Sequence, residues 1–247
     1  MALKYLPFLR RGGQNLHMTS ATKKETPHYS GHRNRLRQRF AQGGTDALQD
    51  YELLELILFM AIPRRDVKPL AKDLIQKFGS FSAVVHAEIH ELMGFGLSEN
   101  SAITLKCIEA GALRMMKQDV TKQPILNSWS RLTDYLYASM AYDTKEQFRL
   151  LFLNKKNELI GDEIQQTGTV DHTPAYPREI IKRALNVGAT ALILVHNHPS
   201  GDSTPSQPDI DLTQDIITAA NPFNIIIHDH VIISKKGYTS FKSEGLM

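Results

Sequence analysis

The chain has 247 residues, with 29 Lys+Arg against 26 Asp+Glu, and 42% of it is hydrophobic. That is enough for one large domain or two small ones with cores of their own. Whole-chain disorder is excluded by this apolar content and a net charge of only +3, and no uncharged apolar run approaches the roughly 20 residues of a membrane span. A single cysteine, Cys107, excludes an internal disulfide framework and a thiolate-rich zinc finger, so a reducing, cytoplasmic setting with no membrane partner is the expectation.

The charge is uneven. Residues 1–40 hold nine Lys+Arg and one acid, Glu25, while the remainder is net acidic. Such a basic arm suits an anionic partner such as nucleic acid, and equally a solubilising tail. Residues 1–27 lack sustained periodicity and read as that tail. Met18 offers an alternative start, which would make residues 1–17 a misassigned extension.

A helical domain is expected over residues 28–117. Arg33/Arg37 and Arg35/Arg39 are i,i+4 pairs beside Leu36 and Phe40. Asp50 can cap a helix through Tyr51, Leu54, Leu58 and Phe59 that breaks at Pro63. The next helix carries Val67, Leu70, Leu74, Ile75 and Phe78 and stops at Gly79. A last helix over about 98–116 places Ile103, Cys107, Ala110 and Leu113 at helical spacing, with Cys107 expected in the core. Met93-Gly94-Phe95-Gly96-Leu97 ahead of it is either a tight turn between core helices or a turn whose N–H groups face a DNA phosphate.

Residues 118–127 are polar with one proline and mark the expected linker, leaving 128–247 as the second domain. There a helix near Ser130–Ala141 precedes strands at Gln147–Asn154 and Leu159–Thr167, joined by a Lys-Lys-Asn-Glu turn. Pro177 opens a helix that ends at Gly188. Ala191–Val195 reads as a strand covered on both faces. A helix over about Ser206–Ala220 and two strand-like runs in Phe223–Ser234 complete an α/β layer pattern.

His196-Asn197-His198 follows the buried strand directly. Residues i and i+2 of a strand share a face, so both imidazoles can converge on one ion. Asp209, at the start of the next helix, can add a carboxylate and leave a fourth position open, as in catalytic zinc sites. Ser206-x-x-Asp209 is equally a helix N-cap pair, and the histidines alone could be hydrogen-bonded strand-end residues. His228 and His230 repeat the i,i+2 spacing, with a supporting or core role expected. Asp202 lies in the turn and suits a local backbone hydrogen bond.

The run His196-Asn197-His198-Pro199-Ser200-Gly201-Asp202, with Ser206 and Asp209 at the spacing His-x-His-x7-Ser-x2-Asp, resembles the JAMM (MPN+) metalloprotease motif. Its local wording is similar to the RadC branch of that superfamily. The similarity extends through Gly168-Thr169-Val170, Pro177-Arg178-Glu179, Ala189–Val195, His228-Asp229-His230, Gly31-His32-Arg33 and Tyr51–Glu55, covering nearly all of residues 30–242. The resemblance implies an N-terminal all-α, helix-hairpin-helix-like domain and a C-terminal α/β domain with a mixed sheet flanked by helices. It implies one zinc ion per chain on His196, His198 and Asp209. It further implies Ser206 as hydrogen-bond donor to the oxyanion and Glu163, rather than Glu158 or Glu179, as general base.

Two functions follow as expectations. One is a zinc-dependent peptidase or isopeptidase acting on a peptide or protein. The other is a DNA repair or recombination accessory protein, held on DNA by the helical domain and basic arm, whose metal domain is structural. Intact Glu163 and Ser206 favour the enzyme, because a structural zinc needs neither. A nuclease is disfavoured, since these ligands supply one metal rather than a pair.

Overall fold

The computed structural model describes residues 31–121, 123–168 and 176–247. The basic tail and Met18 lie outside the described residues, as do Thr169 and Val170.

The first domain is helical: α1 (His32–Gly43), α2 (Asp50–Ala61), α3 (Lys68–Phe78), α4 (Phe81–His86), α5 (Ile89–Gly94) and α6 (Glu99–Thr121). Leu36, Leu54, Leu58, Leu74, Val84, Leu92 and Leu105 form its buried core. Each such side chain contributes about 1.5–3 kcal/mol by leaving water. Asp50 is the first residue of α2 rather than its cap: its carboxylate accepts from Phe81 N across the fold, while Glu52 turns back to accept from Gln49 N. Gly79 ends α3 with φ of 95°, a conformation open to a residue without Cβ.

Two of the four arginines of α1 are taken up inside this domain. Arg33 Nη2 donates to the carbonyls of Ile62 and Arg65, both at 2.6 Å, and its guanidinium lies over the Phe59 ring. It thus closes the C-terminal end of α2. Arg39 makes a two-point hydrogen-bonded ion pair with Glu52.

Within the expected linker, the described residues on either side of position 122 carry secondary structure. Helix α6 runs on to Thr121 and a 3-10 turn follows at Ile125–Asn127. Val120 and Ile125 are fully buried in the core of the second domain. Cys107 is exposed, as is Ile103, because α6 buries the opposite stripe, including Ala102 and Leu105.

The second domain comprises α7 (Trp129–Met140), β1 (Glu146–Leu153), β2 (Leu159–Gly168), α8 (Pro177–Val187), β3 (Ala191–Asn197), α9 (Gln207–Ala220), β4 (Ile226–Ser234), β5 (Gly237–Ser240) and α10 (Phe241–Glu244). The sheet has the order β2-β1-β3-β4-β5. Among the described residues only β3 and β4 pair in parallel, with α9 between them in the chain, so the sheet is mixed. The two runs expected in Phe223–Ser234 resolve into one strand, β4, preceded by a 3-10 turn at Asn221–Phe223. The added strand β5 lies after it.

The sheet is covered on both faces. Leu151, Leu153, Ile193, Val195, Val231 and Ile233 meet Leu132 and Leu136 of α7 on one side. Phe148, Leu150, Leu192 and Leu194 meet Ile180 and Ala184 of α8 and Ile216 of α9 on the other. This double burial explains the continuous apolar run of β3. At the sheet's α7 face, Asp162 of β2 gathers Tyr135 Oη at 2.6 Å, Lys117 Nζ of α6 at 2.9 Å and Arg149 Nε of β1 at 3.5 Å. This group ties the long α6 helix to the sheet.

Candidate metal centre

All seven residues of β3 are buried, and the pairing of His196 with Phe148 puts it on the α8/α9 face of the sheet. His198 N continues the pairing by donating to Ile233 O. Gly201, with φ of 85°, then turns the chain away, and His198 O accepts from Gly201 N. Ser206 caps α9, and Asp209 sits in its first turn.

These elements bring His196, His198 and Asp209 together, with one ligand atom from each all within 4.8 Å of one another. His196 Nε2 lies 2.9 Å from His198 Nε2 and 3.4 Å from Asp209 Oδ1; His198 Nε2 lies 3.7 Å from Asp209 Oδ2. A tetrahedron with zinc–ligand bonds of about 2.05 Å has edges of roughly 3.3 Å, within the spread of these spacings. His198 Nδ1 is 2.7 Å from the Asp202 carbonyl. A carbonyl only accepts, so Nδ1 carries the proton and Nε2 keeps its lone pair for a metal. Two imidazole nitrogens and a carboxylate oxygen are a donor set that zinc favours. The residues therefore fit the ion.

The charges support the same arrangement. Burial holds the His196 imidazole down at about 4, against the opposing pull of Asp209. His198 is raised, chiefly by Asp209, with burial opposing; at 3.7 Å that contact is electrostatic rather than a hydrogen bond. Burial would raise Asp209, but the two histidines and the N–H and O–H of Ser206 outweigh it and hold the carboxyl well below its ordinary range.

Ser206 carries out the capping reading in full. Its N and Oγ both donate to Asp209 Oδ2, at 2.8 and 2.6 Å, and Oγ also faces Asp209 N at 3.4 Å. The cap and the metal cluster are therefore one construction, with the cap fixing the carboxylate that the histidines face. The Ser206 proton is given to Asp209, so this geometry makes Ser206 an orienting group. Donation to a reacting carbonyl requires its hydroxyl to rotate.

Glu163 is not brought to the cluster. It pairs across β1 with Leu150, which pairs with Leu194 of β3; two strand spacings of about 4.8 Å separate it sideways from β3. Its carboxylate accepts from Arg183 Nε and Nη2 of α8 at 2.8 and 2.5 Å, and this guanidinium holds it below its ordinary range. Glu158 is hydrogen-bonded to Asn154 in its turn, and Glu179 meets Arg178 and Lys182 on the surface.

The carboxylate that does face the cluster is Glu146. Phe148 pairs with His196, so antiparallel register carries Glu146 opposite His198, on the same face of the sheet. The Asn197 side chain locks that register: Oδ1 accepts from Gln147 N at 2.8 Å and Nδ2 donates to Lys145 O at 3.1 Å. Partial burial raises the Glu146 pKa, with His198 lowering and Asp209 raising it. The sequence signal for Glu146 is an acid at the start of a strand whose antiparallel neighbour ends in the histidines.

His228 and His230 do different things. A bulge at His228 shifts the β3–β4 register, and its Nε2 meets Asn157 Oδ1 at 2.7 Å, away from the cluster. His230 is fully buried, with Nε2 2.8 Å from His196 Nδ1. Asp202 keeps its local role, its Oδ1 accepting from Thr204 N and Oγ1.

The sheet with helices on both faces and the His–His–Asp cluster at the end of its central strand, β3, define a hydrolase-type fold of the JAMM superfamily. The family model described as RadC-like JAB domain matches residues 126–246, and the model described as UPF0758 N-terminal matches residues 30–103. The chain belongs to the RadC family, and its second domain has the JAB/MPN fold, whose members usually bind zinc.

Proposed function

We propose that the protein is a zinc-dependent hydrolase of an amide bond, a peptidase or isopeptidase acting on a peptide or protein, with His196, His198 and Asp209 holding one zinc ion. The observation that carries this reading is the meeting of two imidazole Nε2 atoms and the Asp209 carboxylate at the end of β3, with Glu146 near enough for its carboxyl to feel the charges of His198 and Asp209. Held by His196, His198 and Asp209, a zinc ion would supply Lewis-acid activation of water and of the scissile carbonyl. Glu146 takes the proton of the attacking water at a carboxylate oxygen and returns it to the leaving amine. Ser206 orients Asp209, and Asn197 holds the first residues of β1 so that Glu146 stays opposite His198.

Glu146 takes the place given to Glu163 by the family resemblance, since a carboxylate shared with a guanidinium is a poor proton acceptor. The test is hydrolysis of peptide and isopeptide libraries by the full chain loaded with zinc. Cleavage that disappears on chelation and in Glu146→Gln, and survives in Glu163→Gln, supports the reading. Cleavage that survives chelation, or no cleavage of any amide by zinc-loaded protein, counts against it.

A further inference from the structure

The His196 imidazole presents a bare nitrogen to the cluster only if its proton sits on the other side of the ring, and the groups behind it decide that. Thr213 lies one turn after Asp209 on α9. Its Oγ1 is 2.6 Å from the Asp209 carbonyl and 2.6 Å from His230 Nδ1. Beyond it, His230 Nε2 is 2.8 Å from His196 Nδ1. His196 is 2% exposed, and His230 and Thr213 are fully buried.

Counting protons gives this chain a direction. The Asp209 carbonyl can only accept, so the single proton of the Thr213 hydroxyl goes to it. His230 Nδ1 then faces an oxygen whose proton is spent, and must donate. His230 stands between the rings of Phe148 and Phe241, with centroids at 5.9 and 4.6 Å. The neighbouring Asp229 carboxylate is engaged by Ser240 Oγ, Lys242 N and the His230 backbone N–H. A neutral imidazole has one N–H, so His230 Nε2 accepts and His196 Nδ1 donates. What remains on His196 is the bare Nε2, the atom that faces His198 and Asp209.

We propose that Thr213 and His230 are positioning residues that set the tautomer of His196, turning its Nε2 lone pair toward the metal centre. This inference rests on the metal reading above for its purpose, but its geometry stands apart from it. The chain begins at the backbone of one proposed ligand residue, Asp209 on α9, passes through β4 and ends on another, His196 on β3. It therefore couples two elements of the site as well as fixing a proton. Buried polar groups cost stability unless paired, and in this direction each contact of Thr213 and His230 along the chain joins one donor to one acceptor, leaving only His196 Nε2 for the metal.

The test uses the full chain labelled with 15N-histidine. Long-range proton–nitrogen correlation spectra of the metal-free protein report which ring nitrogen carries hydrogen, with signals assigned from His196→Asn and His230→Asn variants. Both His196 and His230 are expected as the Nδ1–H form, which free histidine in water disfavours. Thr213→Val removes the acceptor for His230 Nδ1–H. His230 can then donate from Nε2, which moves the His196 proton onto its own Nε2. The spectra should show both rings switched, and zinc affinity measured against a chromophoric chelator should fall by roughly 10–100-fold. Thr213→Ser should restore both.

An Nε2–H form of His196 in the wild type overturns the proposal, as does unchanged zinc affinity in a folded Thr213→Val. The wild-type spectrum alone decides if that variant fails to fold. Expected tautomers in a wild type that takes up no zinc leave the relay standing and remove the metal reading. Tight zinc binding with the opposite tautomer does the reverse.

Discussion

The Glu163 carboxylate receives two hydrogen bonds from Arg183, at 2.8 and 2.5 Å, on a strand two removed from the histidines. Its partnership is with the helix covering the sheet. Glu163→Gln is therefore expected to keep zinc and keep catalysis, with stability changed by about 1 kcal/mol or less for a largely exposed pair. Glu146→Gln should keep zinc and lose activity by at least ~100-fold, the scale of a general base. Steady-state kinetics of the two variants at equal zinc content check this.

Asn197 stands between the two histidines, yet both polar atoms of its side chain point to β1. Asn197→Ala leaves Gln147 N and Lys145 O without their partner in a buried place. The expected loss is about 1–3 kcal/mol of stability, read by denaturant unfolding. Glu146 loses its register, so kcat should fall while bound zinc stays near the wild-type level. Loss of zinc in step with activity would contradict this division of roles.

The clustering of His196, His198 and Asp209 was legible because they lie within 14 residues and their spacing reflects one strand end, one turn and one helix start. The alternative cap reading of Ser206 and Asp209 was legible too, and the structure contains it alongside the cluster. Glu146 was not, since it lies 50 residues before His196 and reaches the site through strand pairing, which local pattern does not report. Thr213 was missed for a similar reason: within α9 it is an ordinary buried polar residue, and only β4 packing sets it against His230. Cys107 was misplaced because Ile103, Cys107 and Ala110 mimic a buried stripe, whereas α6 buries Ala102 and Leu105.

Asp162 is enclosed with Tyr135, Lys117 and Arg149 where α6 joins the sheet. Burial would raise its pKa, but Arg149, the Tyr135 hydroxyl and Lys117 together depress it. A depressed carboxyl contributes stability above its unfolded pKa of about 3.9, which is lost as pH falls through the lower folded value. Asp162→Asn should cost about 3 kcal/mol at neutral pH, as for a broken buried pair. The gap from wild type should narrow below about pH 4. Urea unfolding across pH 3–7 measures it, and a gap independent of pH would contradict the account.

Arg33 closes α2 through the carbonyls of Ile62 and Arg65. Arg33→Ala should lower the stability of the helical domain by roughly 1–3 kcal/mol and leave zinc content unchanged. Thermal unfolding with and without zinc separates these effects. Zinc loss in the folded Arg33→Ala protein would contradict their independence.

The most direct measurement is zinc per chain, by elemental mass spectrometry on tag-free protein, for wild type beside His198→Ala and Asp209→Ala. Near one zinc in the wild type and a clear loss in both folded variants is the predicted result. Asp209→Ala should also lose about 1 kcal/mol with its part in the α9 cap. No zinc in the wild type after reconstitution, or zinc retained in full by both variants, would contradict the account and leave Ser206 and Asp209 as a helix cap.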